Sequence, residues 1–240
     1  MLVSDQVDHS AVERIVVEVA EELDHFASNL PFHLRLTDEN LNEHAEKGQG
    51  STFVALHLAF FHYSTLLYFY FLDRPKPSSA IHAIFADRCK NYAIALSELL
   101  EKSMERPGCE ALYVVVGHLT SVSSSVLLHT LLFGEESQLP QARHHLQVNF
   151  KKLLELNKIW PKVEKEIDKL FLFQDYCFQV VDSAHRVDAW MVKFLLNCAL
   201  PLERRQALGY AECSGSTLYE RSRTINAALS TLREGDDTII

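Results

Sequence analysis

The sequence contains few residues that interrupt helices, with 8 Gly and 7 Pro among 240 residues. A β-sandwich or barrel of this length needs a turn roughly every ten residues, and therefore more Gly and Pro than are present. Apolar residues make up 48% of the chain and charged residues 23%, which is ordinary for a globular domain. The composition therefore predicts long helices around a substantial core, which is an all-α fold.

Basic charge is also scarce, because 23 Lys and Arg stand against 32 Asp and Glu and give a formal net charge of −9. Binding along a phosphate backbone requires clustered basic residues, so we expect no direct specific DNA binding by this chain. Segment 185–194 is the strongest exception, since basic residues flank Trp190 there. An amphipathic helix that packs Trp190, Val192 and Leu195 explains this segment more simply.

The cysteines are few and far apart, and no two of them form a C-x-x-C pair. A structural zinc site needs closely spaced ligand pairs, so no zinc centre is expected. The N-terminus lacks the basic segment and uninterrupted apolar run of a signal peptide. An odd number of cysteines without such a signal favours free thiols in a reducing compartment and a protein that is not secreted. The five are Cys89, Cys109, Cys177, Cys198 and Cys213.

Motifs that carry common catalytic chemistry are missing from the sequence. There is no H-E-x-x-H metal motif, no G-x-S-x-G nucleophile elbow and no glycine-rich phosphate loop of the G-x-x-x-x-G-K or G-x-G-x-x-G type. We therefore predict that the chain is not an enzyme and that it uses no cofactor and no metal. A helical enzyme of unknown substrate, for example one acting through His118 and Ser121, is the competing alternative.

Apolar residues recur at helical spacing along most of the chain, and they predict about seven helices bounded by Ser or Thr caps, Pro and Gly. The helices are expected at 9–28, 51–72, 78–106 and 109–133, from Pro140, once or twice after Pro161, and at 218–232. Residues 30–50 are predicted as an ordered loop with a short helix capped by Thr37 or Asp38. We place the helices in a single large domain at 1–208, followed by a C-terminal tail at 209–240.

Two segments, 48–72 and 111–134, contain no Asp, Glu, Lys or Arg. Each is long enough to cross a bilayer, which takes about 20 residues, so a membrane protein with two spans is an alternative. The many Ser, Thr and His residues in these segments, and the absence of a basic asymmetry in their flanks, argue against a membrane. We therefore predict that helices 51–72 and 109–133 are the buried central helices of the domain.

Four polar residues share one face of the second central helix, namely His118, Ser121, Ser125 and His129. They follow one another at intervals of three or four residues, which places them in line on a helix. Such a stripe either forms hydrogen bonds with a neighbouring helix or lines a pocket for a small effector. Both interpretations stay open, and these residues form the candidate site.

Taken in order, four segments resemble the regulatory, or middle homology, region of fungal zinc binuclear-cluster transcription factors. LHLAFFHYSTLLYFYFLDRP (56–75) resembles that family's long helix with its basic-proline end, and RCKNYAIALSELL (88–100) resembles the helix that follows. SVSSSVLLHTLLFG (121–134) resembles its central apolar helix, and ARHHLQVNFKKLLELNKIWPKVEK (142–165) resembles the helix that leads to a Trp. The resemblance covers about residues 30–200 and consists of the order of the helices and the distribution of apolar residues within them.

The resemblance implies a domain that acts in transcription regulation through protein contacts or a small apolar effector. The implied partners are the transcription machinery or a parent transcription factor, with a homodimer as a further option. The implied location is the nucleus, and without the resemblance the sequence favours the cytoplasm. The family's DNA-binding element, a run of six cysteines among Lys and Arg, has no counterpart here. The chain is therefore expected to be a fragment, a shortened product or a stand-alone regulatory domain.

Overall fold

The structure is a computed structural model that describes residues 9–72, 80–179, 189–198, 200–203 and 217–234. Within these ranges it contains nine α-helices and no strand, so the all-α prediction is confirmed. The helices are α1 (His9–Ser28), α2 (Asp38–Glu46), α3 (Gly50–Phe69), α4 (Ala80–Glu105), α5 (Val114–Phe133), α6 (Leu139–Ile159), α7 (Glu164–Gln179), α8 (Ala189–Leu196) and α9 (Thr217–Glu234). Short 3₁₀ helices at Phe32–Leu34, Glu136–Gln138 and Pro161–Val163 lie between them.

Helix α5 is the centre of the fold. Every residue from Val116 to Leu132 is buried, and the helix packs against α3, α4, α6, α7 and α9. A helix that is surrounded on all sides has no face that must be polar, which explains why its sequence lacks charge. Helix α3 lies beside it, packs against α4 and α5 and carries α1 and α2 on its other sides.

The hydroxyl groups of α5 find hydrogen-bond partners inside the core. Thr120 and Ser124 each donate to the carbonyl one turn earlier in α5, both at 2.7 Å. Ser123 donates to the Ala93 carbonyl of α4 at 2.9 Å, and Asn149 of α6 donates to the Ser123 hydroxyl at 3.1 Å. Because bonded hydroxyls are tolerated in a protein interior, the polar content of α5 is compatible with its central position.

Helices α3 and α5 are both long and apolar enough to cross a membrane. In the fold, 89% of the residues in the most apolar stretch of α5 are buried, against 50% of those in the corresponding stretch of α3. The core helix of a globular domain has the same length and composition as a membrane span. These two helices therefore do not by themselves indicate a membrane protein.

Local signals predict several helix boundaries correctly. Helix α1 has the predicted bounds, and α6 begins with Pro140 in its first turn. The predicted cap of the short helix α2 is Thr37, whose hydroxyl accepts a hydrogen bond from the Asn40 amide at 3.2 Å. Helix α9 spans the predicted amphipathic segment 218–232 and packs against α5 and α6. The predicted domain boundary at 208 and 209 lies outside the described residues, as does Cys213.

Helix α5 begins at Val114, five residues later than the sequence predicts. The chain reverses before it at Gly108, whose φ of +84° favours glycine. The Glu110 carboxylate accepts a hydrogen bond from the Gly108 amide at 2.9 Å, and Trp160 Nε1 donates to the Leu112 carbonyl at 2.7 Å. These hydrogen bonds take the place of helical ones and hold the segment before α5 in a non-helical path.

Helix α8 corresponds to the end of the amphipathic segment predicted at 185–194, and residues 185–188 lie outside the described ranges. Its buried apolar residues are Met191, Phe194 and Leu195. Trp190 packs as predicted, because its ring stacks on Tyr176 of α7 at 5.0 Å. The predicted packing of Val192 is wrong, since this side chain is 42% exposed and lies on the face of α8 that points away from the core.

Candidate functional site

A cleft of about 290 Å³ opens between α3, the first turns of α5 and the end of α8. On the α3 side, the wall contains Ala55, Ala59 and His62, which follow one another at intervals of three or four residues and so share one helix face. The two alanines lie one turn apart, and their small side chains leave the space that a larger residue would fill. Leu195 and Leu196 of α8 form part of the opposite wall.

No Asp, Glu, Lys or Arg is among the described residues that line the cleft. Its buried polar residues are His62 of α3 and His118 of α5, which are 6% and 5% exposed. Their rings meet edge to face with centroids 5.6 Å apart. Tyr63, which is 63% exposed, stands at the rim. The cleft is therefore apolar at its walls and has a pair of imidazoles in its interior.

His62 has a buried ring nitrogen, Nδ1, without a hydrogen-bond partner among the described residues. Burial, with a further contribution from the neighbouring His118, lowers the pKa of His62 to about 4. At neutral pH the ring is therefore uncharged and offers one donor and one acceptor nitrogen.

His118 has partners for both of its ring nitrogens. Its Nε2 donates to the Leu195 carbonyl near the end of α8 at 3.0 Å, and its Nδ1 lies 3.4 Å from Glu166 Oε2 of α7. The His118 side chain thus connects three helices and borders the cleft at the same time. Both ring nitrogens are thus directed at protein groups, which connects α5 to α7 and α8.

A buried ion pair continues this network behind the cleft. Lys169 Nζ lies 3.0 Å from Glu166 Oε1, and both side chains are 1% exposed. Lys169 also donates to the carbonyl of Asn197, immediately after α8. The last carbonyls of a helix have no partner within the helix, so His118 and Lys169 supply donors that α8 lacks. The network fixes the end of α8, and with it one wall of the cleft.

The four residues of the predicted stripe are all buried, but they do not form one site. His118 lines the cleft, whereas Ser121, Ser125 and His129 are not among its lining residues. The Ser121 hydroxyl donates to the Glu166 carbonyl at 3.2 Å, and the Ser125 hydroxyl donates to a carbonyl of its own helix at 2.7 Å. The His129 ring packs 4.9 Å from that of Phe133. Hydrogen bonding to a neighbouring helix thus applies to His118 and Ser121, and the pocket contains one member of the stripe.

Three residues of the site escaped the sequence analysis: His62, Glu166 and Lys169. His62 stands in an apolar helix, where a histidine most often has a structural role, and its spacing from other histidines matches no ligand motif. Glu166 and Lys169 are three residues apart on one helix, a pattern that is common on exposed helix surfaces. Their functional context arises only from the packing of α3, α5 and α7.

Within the ranges that the structure describes, no group of three or more His, Cys, Asp or Glu side chains is placed to hold a metal ion. The thiols of Cys89, Cys109 and Cys177 are buried apart from one another in the core. Burial raises the pKa of the Cys89 thiol, which disfavours the reactive thiolate there.

Comparisons of the chain with protein-family models, with curated proteins and with solved structures find no significant match. The fold and the site therefore define the class by themselves. It is an all-α domain that holds a small, apolar cleft beside its central helix, with a neutral, buried imidazole in the cleft wall.

Proposed function

We propose that this chain is a regulatory domain that binds a small apolar effector in the cleft between α3, α5 and α8. The observation that carries this proposal is the cleft itself, which has about 290 Å³ of space beside a helix that is otherwise fully packed. Ligand sites are typically concave and mostly apolar, with a few polar groups that orient the ligand. The lining of this cleft has that character.

The assignment to transcription regulation rests on the resemblance of segments 56–75, 88–100, 121–134 and 142–165 to the regulatory region of fungal zinc-cluster factors. The described parts of these segments fall mainly on α3, α4, α5 and α6, and these four helices pack into one contiguous unit. We propose the nucleus as its location. Its partners would be the transcription machinery or a parent transcription factor, which would supply the DNA-binding element.

The competing class is an enzyme that acts through His118 and Ser121. In nucleophilic catalysis the hydroxyl must be within hydrogen-bond reach of its base. The Ser121 hydroxyl donates instead to the Glu166 carbonyl, and His118 is directed at Leu195 and Glu166. Ser121 is also 1% exposed. This arrangement favours a structural role for the pair, and it supports the binding domain over the enzyme.

A reporter assay tests the proposal. The full chain is fused to a heterologous DNA-binding domain and an activation segment, and reporter output is compared between wild type and Ala59→Phe. The phenyl ring fills the cleft, so we expect output to change at equal protein abundance. Ala227→Phe is the matched control, because Ala227 is exposed on α9 and does not line the cleft. Wild-type output from both variants at equal abundance would contradict the proposed function.

A further inference from the structure

We infer that the cleft selects a neutral, apolar molecule of about 10–15 non-hydrogen atoms that carries a hydroxyl group, and that this hydroxyl forms a hydrogen bond with His62. The inference rests on the proposed function, because it names the chemical class of the effector for the same cleft. It specifies the charge, the polar group and the size of the ligand, and each of these properties follows from a separate observation.

The charge of the ligand follows from the lining. No Asp, Glu, Lys or Arg is among the described residues that form the cleft wall, so neither a carboxylate nor an ammonium group would find a counter-charge there. Glu166 and Lys169 lie behind His118 and already pair with each other. Moving an unpaired charge from water to an apolar site is costly, so a charged ligand is disfavoured.

The polar group follows from the two histidines. His118 directs both ring nitrogens at protein groups. His62 also lines the cleft and is 6% exposed, but its Nδ1 has no partner among the described residues. A neutral imidazole has one donor and one acceptor nitrogen, and the tautomer decides whether the nitrogen that faces a ligand donates or accepts. A hydroxyl group both donates and accepts, so it pairs with either tautomer. An ether or ketone pairs with one tautomer alone.

The size follows from the volume. A dry apolar cavity of about 150 Å³ accommodates one benzene molecule. The cleft has about 290 Å³, roughly twice that space, which corresponds to a molecule with two fused rings or a ring with a short chain. Ala55 and Ala59 on one wall set this limit, because any larger side chain at either position would occupy the space.

The test uses three probes of one shape: β-naphthol, naphthalene and β-naphthoate. They share the two-ring frame and differ in carrying a hydroxyl group, no polar group or a carboxylate at pH 7. Binding of each to the full chain is measured by equilibrium dialysis at neutral pH. We expect β-naphthol to bind about tenfold more tightly than naphthalene, which lacks the hydrogen bond, and at least about tenfold more tightly than β-naphthoate.

Single substitutions test whether the probes bind in the cleft and whether their hydroxyl group contacts His62. His62→Leu is expected to reduce β-naphthol binding to the naphthalene level, and His62→Gln to retain the preference because an amide both donates and accepts. His145→Leu is the matched control: His145 is 5% exposed and also has an unpartnered Nδ1, but it lies on α6 and does not line the cleft. Ala59→Phe is expected to abolish binding of all three probes. Circular dichroism of each variant checks that the helices are retained.

The inference is overturned if naphthalene binds as tightly as β-naphthol, if β-naphthoate binds most tightly, or if none of the probes binds. It is also overturned if binding survives Ala59→Phe, because the probe then occupies another place. In each case the reporter assay judges the proposed function separately. If Ala59→Phe changes the reporter output but the probes bind in a different order of affinity, only the proposed ligand class is contradicted. If Ala59→Phe leaves the reporter output unchanged, the regulatory role itself is contradicted.

Discussion

Acidification is expected to destabilise the domain through His62, because the folded chain keeps this imidazole neutral. Burial, and to a smaller extent the neighbouring His118, lowers the pKa of His62 from 6.5 to about 4. In the unfolded chain the same side chain takes up its proton near its ordinary pKa. Between these two values the unfolded chain binds more protons than the folded chain, so the free energy of unfolding decreases as the pH falls from about 6.5 to about 4.

The magnitude follows from the difference between the two pKa values. A pKa that falls from 6.5 to about 4 corresponds to about 3 kcal/mol when the whole interval is crossed. Titration between pH 7 and pH 5 covers about 2 kcal/mol of this loss. His62 is 6% exposed, so solvent screens little of the effect.

The assay is urea denaturation followed by circular dichroism at pH 7 and pH 5, on wild type and His62→Leu. Burial also lowers the pKa values of His57 and His145, but these residues are present in both proteins and their contributions cancel in the comparison. Wild type is expected to lose about 2 kcal/mol more than the variant over this pH range. A parallel loss in both proteins would refute the reasoning, because His62 would then not be held neutral by the fold.

Two further substitutions test how the helices are held. Gly50→Ala is expected to destabilise the domain by about 1–3 kcal/mol in thermal or urea unfolding, because the added Cβ would lie 2.3 Å from the Gly108 carbonyl oxygen. Unchanged stability would show that the start of α3 and the turn at Gly108 are not in close contact. Lys169→Met leaves the Glu166 carboxylate buried without its cation and is expected to cost about 3–5 kcal/mol, whereas the double variant with Glu166→Leu should regain much of this. Equal stability of the single and double variants would contradict the buried pair.

Most of the fold could be predicted because its signals are local. The Thr37 cap and Pro140 at the first turn act on their own helices, so the sequence around them suffices. The absence of charge from 111–134 likewise reflects one property, burial on all sides, that α5 has in the structure. The start of α5 was predicted too early, and the hydrogen bond from Trp160 to the Leu112 carbonyl, between residues far apart in sequence, is one of the contacts that keep the preceding segment non-helical.

The site could be predicted only in part, because it depends on contacts between helices. Periodicity placed His118 on a buried face of α5, and that placement is correct. The same reasoning predicted that Ser125 and His129 belong to the same site as His118. The cleft, however, lies beside the first turns of α5, and these two residues are farther along the helix. His62 gained its significance only when α3 packed so that its ring came within 5.6 Å of His118.

The buried ion pair behind the cleft is better explained by the groups that it holds in position than by a contribution to the free energy of folding. A buried ion pair often contributes no more to folding than an apolar pair of the same volume, since both charges lose their hydration. Glu166 and Lys169 instead orient their neighbours. One carboxylate oxygen of Glu166 faces His118, and the ammonium group of Lys169 donates to the carbonyl of Asn197. Leu195 and Leu196, just before that carbonyl, form a wall of the cleft. An apolar replacement would fill the same volume but leave the Asn197 carbonyl, just after α8, without its donor, so the polar pair helps to keep this wall in place.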